Sequence, residues 1–236
     1  MLKAVTYDCW NTLLVSHDDT EAIHLRIAAL TDAVGIDEAQ ARVQLTEGWQ
    51  RHHDAWLRHE NYGAAHVVDW LLERHGRTDD EELRTTLRTS FEEASLETGA
   101  SATPYAVETL ESLRSAGVGI AVICDAGFSP GRVIRELFRR AGLFDLVEVW
   151  AFSDEVDACK PRAEMFAHAL DGLGVTDPAD AMHVGDLWRT DVVGARSYGM
   201  HAARYTGVFH DPPPHGAADA DHVLDDHRAT LAVALG

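Results

Sequence analysis

Short apolar segments alternate with longer amphipathic segments along most of the chain. Six apolar runs have the length and composition of buried strands, and they cover residues 4–7, 118–123, 146–152, 181–184, 201–205 and 222–224. Apolar residues at helical spacing lie between several of these runs, at 105–115, 132–141, 164–173 and 191–198. Such an alternation of strands and helices is typical of βαβ units around a mostly parallel sheet.

Residues 16–99 break this alternation, because they show a 3.6-residue apolar period and no convincing strand. We therefore predict an all-α cap domain of residues 16–99, inserted after the first strand. Residues 1–15 and 100–236 would then form the core domain, an α/β fold with a Rossmann-like, doubly wound, mostly parallel sheet. A chain of 236 residues is long enough for such a core with an insertion.

The chain has a formal net charge of −19 and no dense cluster of Lys and Arg. Nucleic acid and anionic membranes are therefore poor partner candidates, and a phosphorylated substrate would have to be held by a cation and a few donors. Three cysteines without a CxxC pair argue against a disulfide framework or a zinc site. With no signal peptide or membrane span visible, we expect a cytoplasmic protein, whose oligomeric state the sequence leaves open.

Polar residues stand at or near the ends of four predicted strands: Asp8, Cys124, Asp125, Lys160, Asp186 and Asp191. The carboxyl ends of strands in a doubly wound sheet open onto one crevice, so these residues should lie together. Several carboxylates cannot stay ionised side by side without a cation, and Mg²⁺ takes carboxylates, waters and phosphate oxygens as ligands. We therefore predict a Mg²⁺ site in which Lys160 keeps Asp8 deprotonated as a nucleophile.

These strand ends form four ordered motifs: Asp8-Cys9-Trp10-Asn11-Thr12, Val122-Ile123-Cys124, Lys160-Pro161, and Gly185-Asp186 followed by Asp191. With these motifs the chain resembles the haloacid dehalogenase superfamily, most of whose members are Mg²⁺-dependent phosphohydrolases that work through an aspartyl-phosphate. The resemblance extends over essentially the whole chain. It also implies a helical cap of the kind that follows the first strand.

The resemblance implies roles for individual residues. Asp8 would be the nucleophile and Lys160 its catalytic partner, while Asp8, Asp186 and the backbone carbonyl of Trp10 would bind Mg²⁺. Asp191 would be a further metal ligand or would orient the other groups. The substrate, a small phosphorylated metabolite, would contact Trp10, Asn11, Cys124 and Lys160. Asp125 would either bind the substrate or the cap, or be a turn residue before Gly127. Asn11 suits its place because Asn tolerates the left-handed backbone conformation of a tight turn.

Trp10 departs from the pattern of the superfamily's phosphatases, which carry a second Asp here to protonate the leaving group and activate water. Tryptophan can do neither, and loss of a general acid/base costs typically about 10²–10⁴-fold in rate. The substrate would then need a good leaving group, such as an acyl phosphate or a phosphoanhydride. Alternatively, a cap residue would donate the proton.

Candidate proton donors lie at helical spacing on one side of a predicted cap helix, in the set Trp49, His52, His53, Trp56 and His59. A histidine facing the crevice could protonate a leaving oxygen near neutral pH. The alternative is an aromatic cap core with solvated histidines along its edge, and we favour that interpretation.

Two other functions remain open. An aromatic residue at position 10 is also similar to the superfamily's 2-haloacid dehalogenases, which use no metal and whose leaving halide needs no proton. Asp186 and Asp191 favour the metal-dependent reaction instead, since two carboxylates beside Asp8 need a cation. The third possibility is a pseudo-phosphatase that binds a phosphorylated ligand or a protein partner without turnover.

Two further predictions concern the fourth motif and the strand before it. Trp188 and Arg189 should lie on a loop over the crevice, where they either touch substrate or pack on the surface. His183 should be a core histidine with satisfied hydrogen bonds rather than a metal ligand.

Overall fold

The computed structural model describes residues 1–236 and divides into two compact units. The core unit contains Met1–Val15, Ser101–Asp125 and Phe138–Gly236, and the helical unit contains Ser16–Ala100 and Ala126–Leu137. Our sequence analysis assigned residues 126–137 to the core domain. They group with the helical unit because the Phe128 side chain in this segment is buried in that unit's apolar core. The domain boundaries themselves stay a prediction.

Eight strands form two sheets: β1 (Ala4–Tyr7), β2 (Leu14–Ser16), β3 (Ala100–Ala102), β4 (Gly119–Cys124), β5 (Val149–Phe152), β6 (Ala181–Gly185), β7 (His201–Tyr205) and β8 (His222–Leu224). Six of them form the sheet of the core unit, in the order β5-β4-β1-β6-β7-β8, with every neighbouring pair parallel. The chain changes direction across the sheet at β1, and such a switch point is where doubly wound sheets bind ligands. The predicted α/β class with a doubly wound sheet is confirmed.

Strands β2 and β3 pair with each other in a separate two-stranded sheet. Our sequence analysis did not predict them. Each has only three residues, and a run of that length is too short to show the period-two alternation that indicates a strand.

Ten α-helices accompany the strands: α1 (Asp19–Val34), α2 (Glu38–Leu57), α3 (Ala64–Arg74), α4 (Glu81–Thr98), α5 (Ala106–Ser115), α6 (Gly131–Arg140), α7 (Ser153–Val156), α8 (Ala163–Gly172), α9 (Val193–Tyr198) and α10 (Arg228–Leu235). A π-helical turn, Trp188–Val192, leads directly into α9. The prediction of a loop at Trp188 and Arg189 was therefore wrong, because the helical backbone begins before Asp191. None of the helices has the length and apolar content needed to cross a membrane.

Three helices of the helical unit begin at an aspartate that caps the helix N-terminus. The side chains of Asp18, Asp37 and Asp80 each accept a hydrogen bond from a backbone amide three residues further on, at the beginnings of α1, α2 and α4. Caps of this type stabilise a helix by typically about 1 kcal/mol each. The helices enclose their own apolar core, whose fully buried members include Leu30, Leu71, Leu72 and Phe91.

The prediction that His59 shares a helical face with Trp49, His52, His53 and Trp56 was wrong. Helix α2 ends at Leu57, and His59 follows it with a left-handed φ of 62°. The other four residues do lie on α2.

Candidate active site

Two carboxylates meet because neighbouring strands end side by side. In the parallel pair of β1 and β6, Tyr7 is in register with Val184. Asp8 follows β1 directly and Asp186 follows β6, so both leave the sheet at the same edge. Together with Asp191 they form a buried group whose ligand oxygens all lie within 4.8 Å of one another.

Lys160 lies among these carboxylates and contacts two of them. Its Nζ donates to Asp8 Oδ1 at 2.5 Å and to Asp191 Oδ1 at 2.7 Å. Its side chain is only 3% exposed, so solvent screens these contacts little. The backbone N–H of Lys160 donates to Asp125 Oδ1 at 2.8 Å. Asp125 therefore anchors the main chain of Lys160, which is a local reason for an aspartate after β4.

Asp191 makes contacts through both carboxylate oxygens. Oδ1 accepts from Lys160 and from His183 Nε2 at 3.2 Å, and Oδ2 accepts from the backbone N–H of Leu187 at 2.9 Å. Thr190 Oγ1 also lies 3.5 Å from Oδ2. A carboxylate with so many internal donors is well suited to orient Lys160.

Gly185 makes room for this carboxylate. A Cβ atom at position 185 would lie 2.3 Å from Asp191 Cγ, far inside any van der Waals contact. The Gly-Asp pair at the end of β6 is therefore explained by a close approach of backbone and side chain. Any larger residue at position 185 would displace Asp191.

His183 is a buried strand residue with partners on both ring nitrogens, so the prediction of a satisfied core histidine is confirmed. Nδ1 pairs with Thr6 Oγ1 at 2.8 Å, and Nε2 pairs with Asp191. The ring also lies edge-on to Phe166, at a centroid distance of 5.3 Å. Sequence reasoning missed the contact with Asp191. The sequence did contain a signal for the contact between His183 and Thr6, because both are polar residues in direct register on neighbouring buried strands.

The pKa values of the carboxyl groups separate them into two kinds. Burial raises the pKa of Asp8 and of Asp186, and the negative neighbours at this site raise both further against the opposing effect of Lys160. Burial also disfavours ionisation of Asp191, but Lys160 and His183 outweigh it and lower the pKa of Asp191. Burial lowers the pKa of His183, so its imidazole is neutral at pH 7.

These shifts describe an incomplete charge balance. The ammonium group of Lys160 is balanced by the Asp191 carboxylate, which remains ionised. Lys160 also contacts Asp8, so one ammonium group faces three carboxylates, and burial together with the neighbouring negative charges raises the pKa values of Asp8 and Asp186. The oxygens of Asp8 and Asp186 are hard ligands of the kind that Mg²⁺ prefers, so the donor set fits a divalent cation.

The loop between β1 and β2, residues 8–13, carries the remaining residues of the first motif. Asn11 has a left-handed φ of 57°, as its residue type led us to expect. The backbone of Trp10 forms a bridge with Leu14, and its indole is partly exposed. Residues 9–13 of the loop are Cys, Trp, Asn, Thr and Leu, so the loop itself carries no carboxyl group after Asp8.

Cys124, at the end of β4, is buried beside this loop. Contact with Cys9 and burial raise the pKa of the Cys124 thiol well above its ordinary value. The thiol therefore stays protonated at neutral pH, which allows it to act as a weak hydrogen-bond donor and not as a nucleophile.

The cap histidine His52 has a partner within the helical unit. Its Nδ1 lies 2.7 Å from the carbonyl oxygen of Tyr62, and its ring packs against Trp49 and Phe128 at centroid distances of 5.2 and 6.0 Å. Trp49 is nevertheless 54% exposed and lies outside the apolar core of the helical unit, so the interpretation of an aromatic cap core was wrong for this residue.

The chain belongs to the haloacid dehalogenase-like hydrolases, since the model of that family matches residues 2–199. It is therefore a hydrolase, with the fold and the four motifs of that family.

Relatives along the full length differ in the reactions that their names state. The chain is 27% identical to a glyceraldehyde 3-phosphate phosphatase from Methanopyrus kandleri, over 99% of this chain and 97% of that protein. It is 24% identical to (S)-2-haloacid dehalogenase 4A from Burkholderia cepacia, over 95% of this chain and 91% of that protein. A crystal structure of a 2-haloacid dehalogenase from Pseudomonas syringae pv. tomato superposes with a TM-score of 0.69 at 25% identity, covering 100% of this chain and 98% of that one.

Proposed function

We propose that the protein is a Mg²⁺-dependent phosphohydrolase that acts on a small phosphorylated metabolite through an aspartyl-phosphate on Asp8. The observation that carries this proposal is the position of Asp186 beside Asp8, in a buried group of three carboxylates of which Lys160 contacts only Asp8 and Asp191. A reaction at Asp8 that used no metal would gain nothing from a second buried carboxylate next to the nucleophile. The relative from Methanopyrus kandleri, which is named as a phosphatase, supports the same assignment.

Asp8, Asp186 and the backbone carbonyl of Trp10 would hold the metal ion, and Asp191 remains a further candidate ligand. The contacts of Asp191 with Lys160 and His183 fit an orienting role better. When bound, Mg²⁺ would neutralise the excess negative charge of the carboxylates and the charge of the phosphoryl group.

Each residue of the site has its own role in the proposed reaction. Lys160 holds and orients Asp8 Oδ1, and it favours the ionised nucleophile against the opposing effect of burial. An oxygen of Asp8 attacks phosphorus, and the bond from phosphorus to the leaving oxygen breaks. Water then hydrolyses the aspartyl-phosphate and restores the carboxylate. Lys160, Asn11 and the Cys124 thiol would donate hydrogen bonds to the phosphoryl oxygens.

Trp10 restricts the substrate class. With no acid at this position, the leaving group has to depart without a proton, as the carboxylate of an acyl phosphate or the phosphate of an anhydride does. We therefore propose substrates with such leaving groups ahead of ordinary alkyl phosphate esters.

A second candidate function is supported by the same residue and by the relatives. A halide also leaves without a proton, and two of the similar proteins are named as 2-haloacid dehalogenases. In that reaction an oxygen of Asp8 would attack carbon and displace the halide, and no metal would be required. The presence of Asp186 favours phosphoryl transfer over this alternative.

Three probe substrates distinguish the candidates. We expect purified protein to release phosphate from acetyl phosphate and from para-nitrophenyl phosphate with added Mg²⁺, and to lose this activity in EDTA. L-2-chloropropionate should give no chloride. Metal-independent chloride release would overturn the proposal in favour of dehalogenation, and inactivity on all three probes would favour a binding protein.

A second prediction concerns thermal stability and pH. A carboxyl group whose pKa is raised in the folded state contributes stability at low pH, and this contribution is lost as the pH rises above the ordinary carboxyl pKa of about 4 and through the raised value. Because Asp8 and Asp186 both have raised pKa values, we expect the melting temperature in EDTA to fall from about pH 6.5 towards pH 8.5. Below about pH 6.5 the lowered pKa values of the buried His183 and His227 act in the opposite direction.

Mg²⁺ should offset this loss, and more so at pH 8 than at pH 5, since protons compete with the metal for the same carboxylates. At about 100 times its Kd the ion would add about 2.7 kcal/mol, which corresponds to roughly 5–10 °C in a chain of this length. The control variant is Asp186→Asn, which should flatten the pH dependence and reduce the effect of Mg²⁺. A Mg²⁺ effect that is equal at both pH values would contradict binding at these carboxylates.

A further inference from the structure

The backbone carbonyl of Thr12, near the end of the β1–β2 loop, is held by two side chains from distant parts of the chain. Thr103 Oγ1 donates to it at 2.6 Å, and His227 Nε2 lies 2.9 Å from it. The two side chains also contact each other, at 3.0 Å. All three residues belong to the core unit and are buried.

His227 lies immediately before α10, and aromatic rings fix its orientation. Its imidazole stacks on Tyr205, with ring centroids 4.3 Å apart and an angle of 13° between the planes, and it meets Tyr7 edge-on at 6.0 Å. A carbonyl oxygen can only accept a hydrogen bond, so Nε2 has to carry the proton that points to Thr12. Burial lowers the pKa of His227, which fits this neutral tautomer.

The two side chains form a tether on the β1–β2 loop. The backbone N–H of Thr103 adds a bond to the carbonyl of Leu13 at 2.9 Å, and residues 9–13 are otherwise bonded mainly within the loop. Within the loop, the N–H of Leu13 donates to the carbonyl of Cys9 at 2.9 Å, and the N–H of Asn11 donates to the carbonyl of Leu14 at 2.7 Å. Asn11 also holds a left-handed conformation that costs energy for a residue with a side chain. An external anchor at Thr12 therefore opposes relaxation of the turn.

We propose that His227 and Thr103 are positioning residues that hold the β1–β2 loop, and with it Trp10 and Asn11, in register with Asp8. His227 lies outside residues 2–199, the part of the chain that the family model matches, so the family motifs do not account for it. The effect on turnover rests on the proposed function, because the loop would supply a metal ligand and phosphate donors. The effect on the order of the loop is independent of the proposed function.

Two single variants test the tether, and two further variants serve as controls. Thr103→Val removes the hydroxyl donor and keeps the shape of the side chain, whereas Thr103→Ser keeps the donor. His227→Phe keeps a ring to stack on Tyr205 and removes the N–H. Thr109→Val is the control for loss of a buried hydroxyl, because Thr109 is fully buried on α5 and its Oγ1 makes no hydrogen bond.

Hydrogen–deuterium exchange measures loop order without any substrate. We expect Thr103→Val and His227→Phe each to speed exchange in the peptide that spans residues 9–14 by about 10-fold or more, while Thr103→Ser and Thr109→Val leave it unchanged. The double variant should exchange no faster than the product of the single effects predicts, since both side chains hold one carbonyl. Unchanged exchange in folded Thr103→Val and His227→Phe would overturn the proposal.

Turnover supplies the second measurement. On an active probe substrate, Thr103→Val should lower kcat roughly 10–100-fold with KM within about two-fold, because a misplaced loop affects the reacting groups more than ground-state binding. Thr103→Ser should recover the wild-type value. If the wild-type protein has no Mg²⁺-dependent phosphatase activity, the proposed function fails, and the exchange experiment still decides on the tether.

Discussion

Replacing Asp8 with Asn is expected to abolish turnover, with a loss of about 10⁴-fold or more in kcat. An amide cannot attack phosphorus, and it cannot serve as an anionic metal ligand. It can still accept a hydrogen bond from Lys160, and it removes a buried carboxyl group whose pKa is raised. The melting temperature at pH 8 in EDTA should therefore not fall, which separates loss of chemistry from loss of the fold.

The control for this variant is Asp157→Asn. Asp157 is exposed and has a left-handed φ of 57°, a conformation that Asn tolerates, so the substitution makes the same change in charge at a solvent-exposed position. It should leave kcat unchanged. Residual activity of Asp8→Asn above about 1% of wild type, after exclusion of deamidation by mass spectrometry, would show that another residue is the nucleophile.

Replacing Trp10 with Asp is expected to increase hydrolysis of an alkyl phosphate ester by about 10²-fold, within the range of about 10²–10⁴-fold that a general acid/base provides. The new carboxyl group would protonate the leaving alkoxide and later activate water. Acetyl phosphate should respond much less, because its leaving carboxylate needs no proton. The measurement is kcat/KM for both substrates in the presence of Mg²⁺.

Trp10→Asn is the matched control, because it has the size of Asp and opens the same space without supplying a proton. If Trp10→Asn raises activity as much as Trp10→Asp does, the indole limits access to the site rather than marking a missing acid. An equal gain on both substrates would lead to the same conclusion. Either result would remove the argument for substrates with good leaving groups.

The sequence predicted the core sheet well because each strand has a clear physical signature. Strand β1 is fully buried and reads as a continuous apolar run apart from Thr6, as expected for a central parallel strand covered on both faces. The π-helical turn before α9 was not predicted, since its residues carry no cap or proline signal and its backbone is set by the contacts of Asp191.

From the sequence, the candidate site could be predicted as a set of residue types at the ends of particular strands. Parallel topology brings Asp8 and Asp186 together once their strands are neighbours, so the carboxylate group followed from the fold. The anchoring of Lys160 by Asp125 and the contact of His183 with Asp191 did not follow. Both depend on side-chain directions and on distances of about 3 Å, which periodicity and spacing do not encode.

Phosphoryl transfer and dehalogenation share most of this site. Both reactions need an ionised Asp8 held by Lys160, and both work with a tryptophan at position 10 when the leaving group needs no proton. They differ in the requirement for a cation beside Asp8, and Asp186 is the residue that favours phosphoryl transfer. A single carboxylate therefore separates the two chemistries in this chain.

The three buried thiols have a practical consequence for handling the protein. Burial raises the pKa of Cys9, and it raises the pKa of Cys159 to about 12, while Cys124 is shifted in the same direction. Alkylating reagents attack the thiolate, so the folded chain should react with iodoacetamide only as fast as it opens. The rate at which the three cysteines are alkylated then reports the rate of unfolding, without a substrate, a metal or an added label.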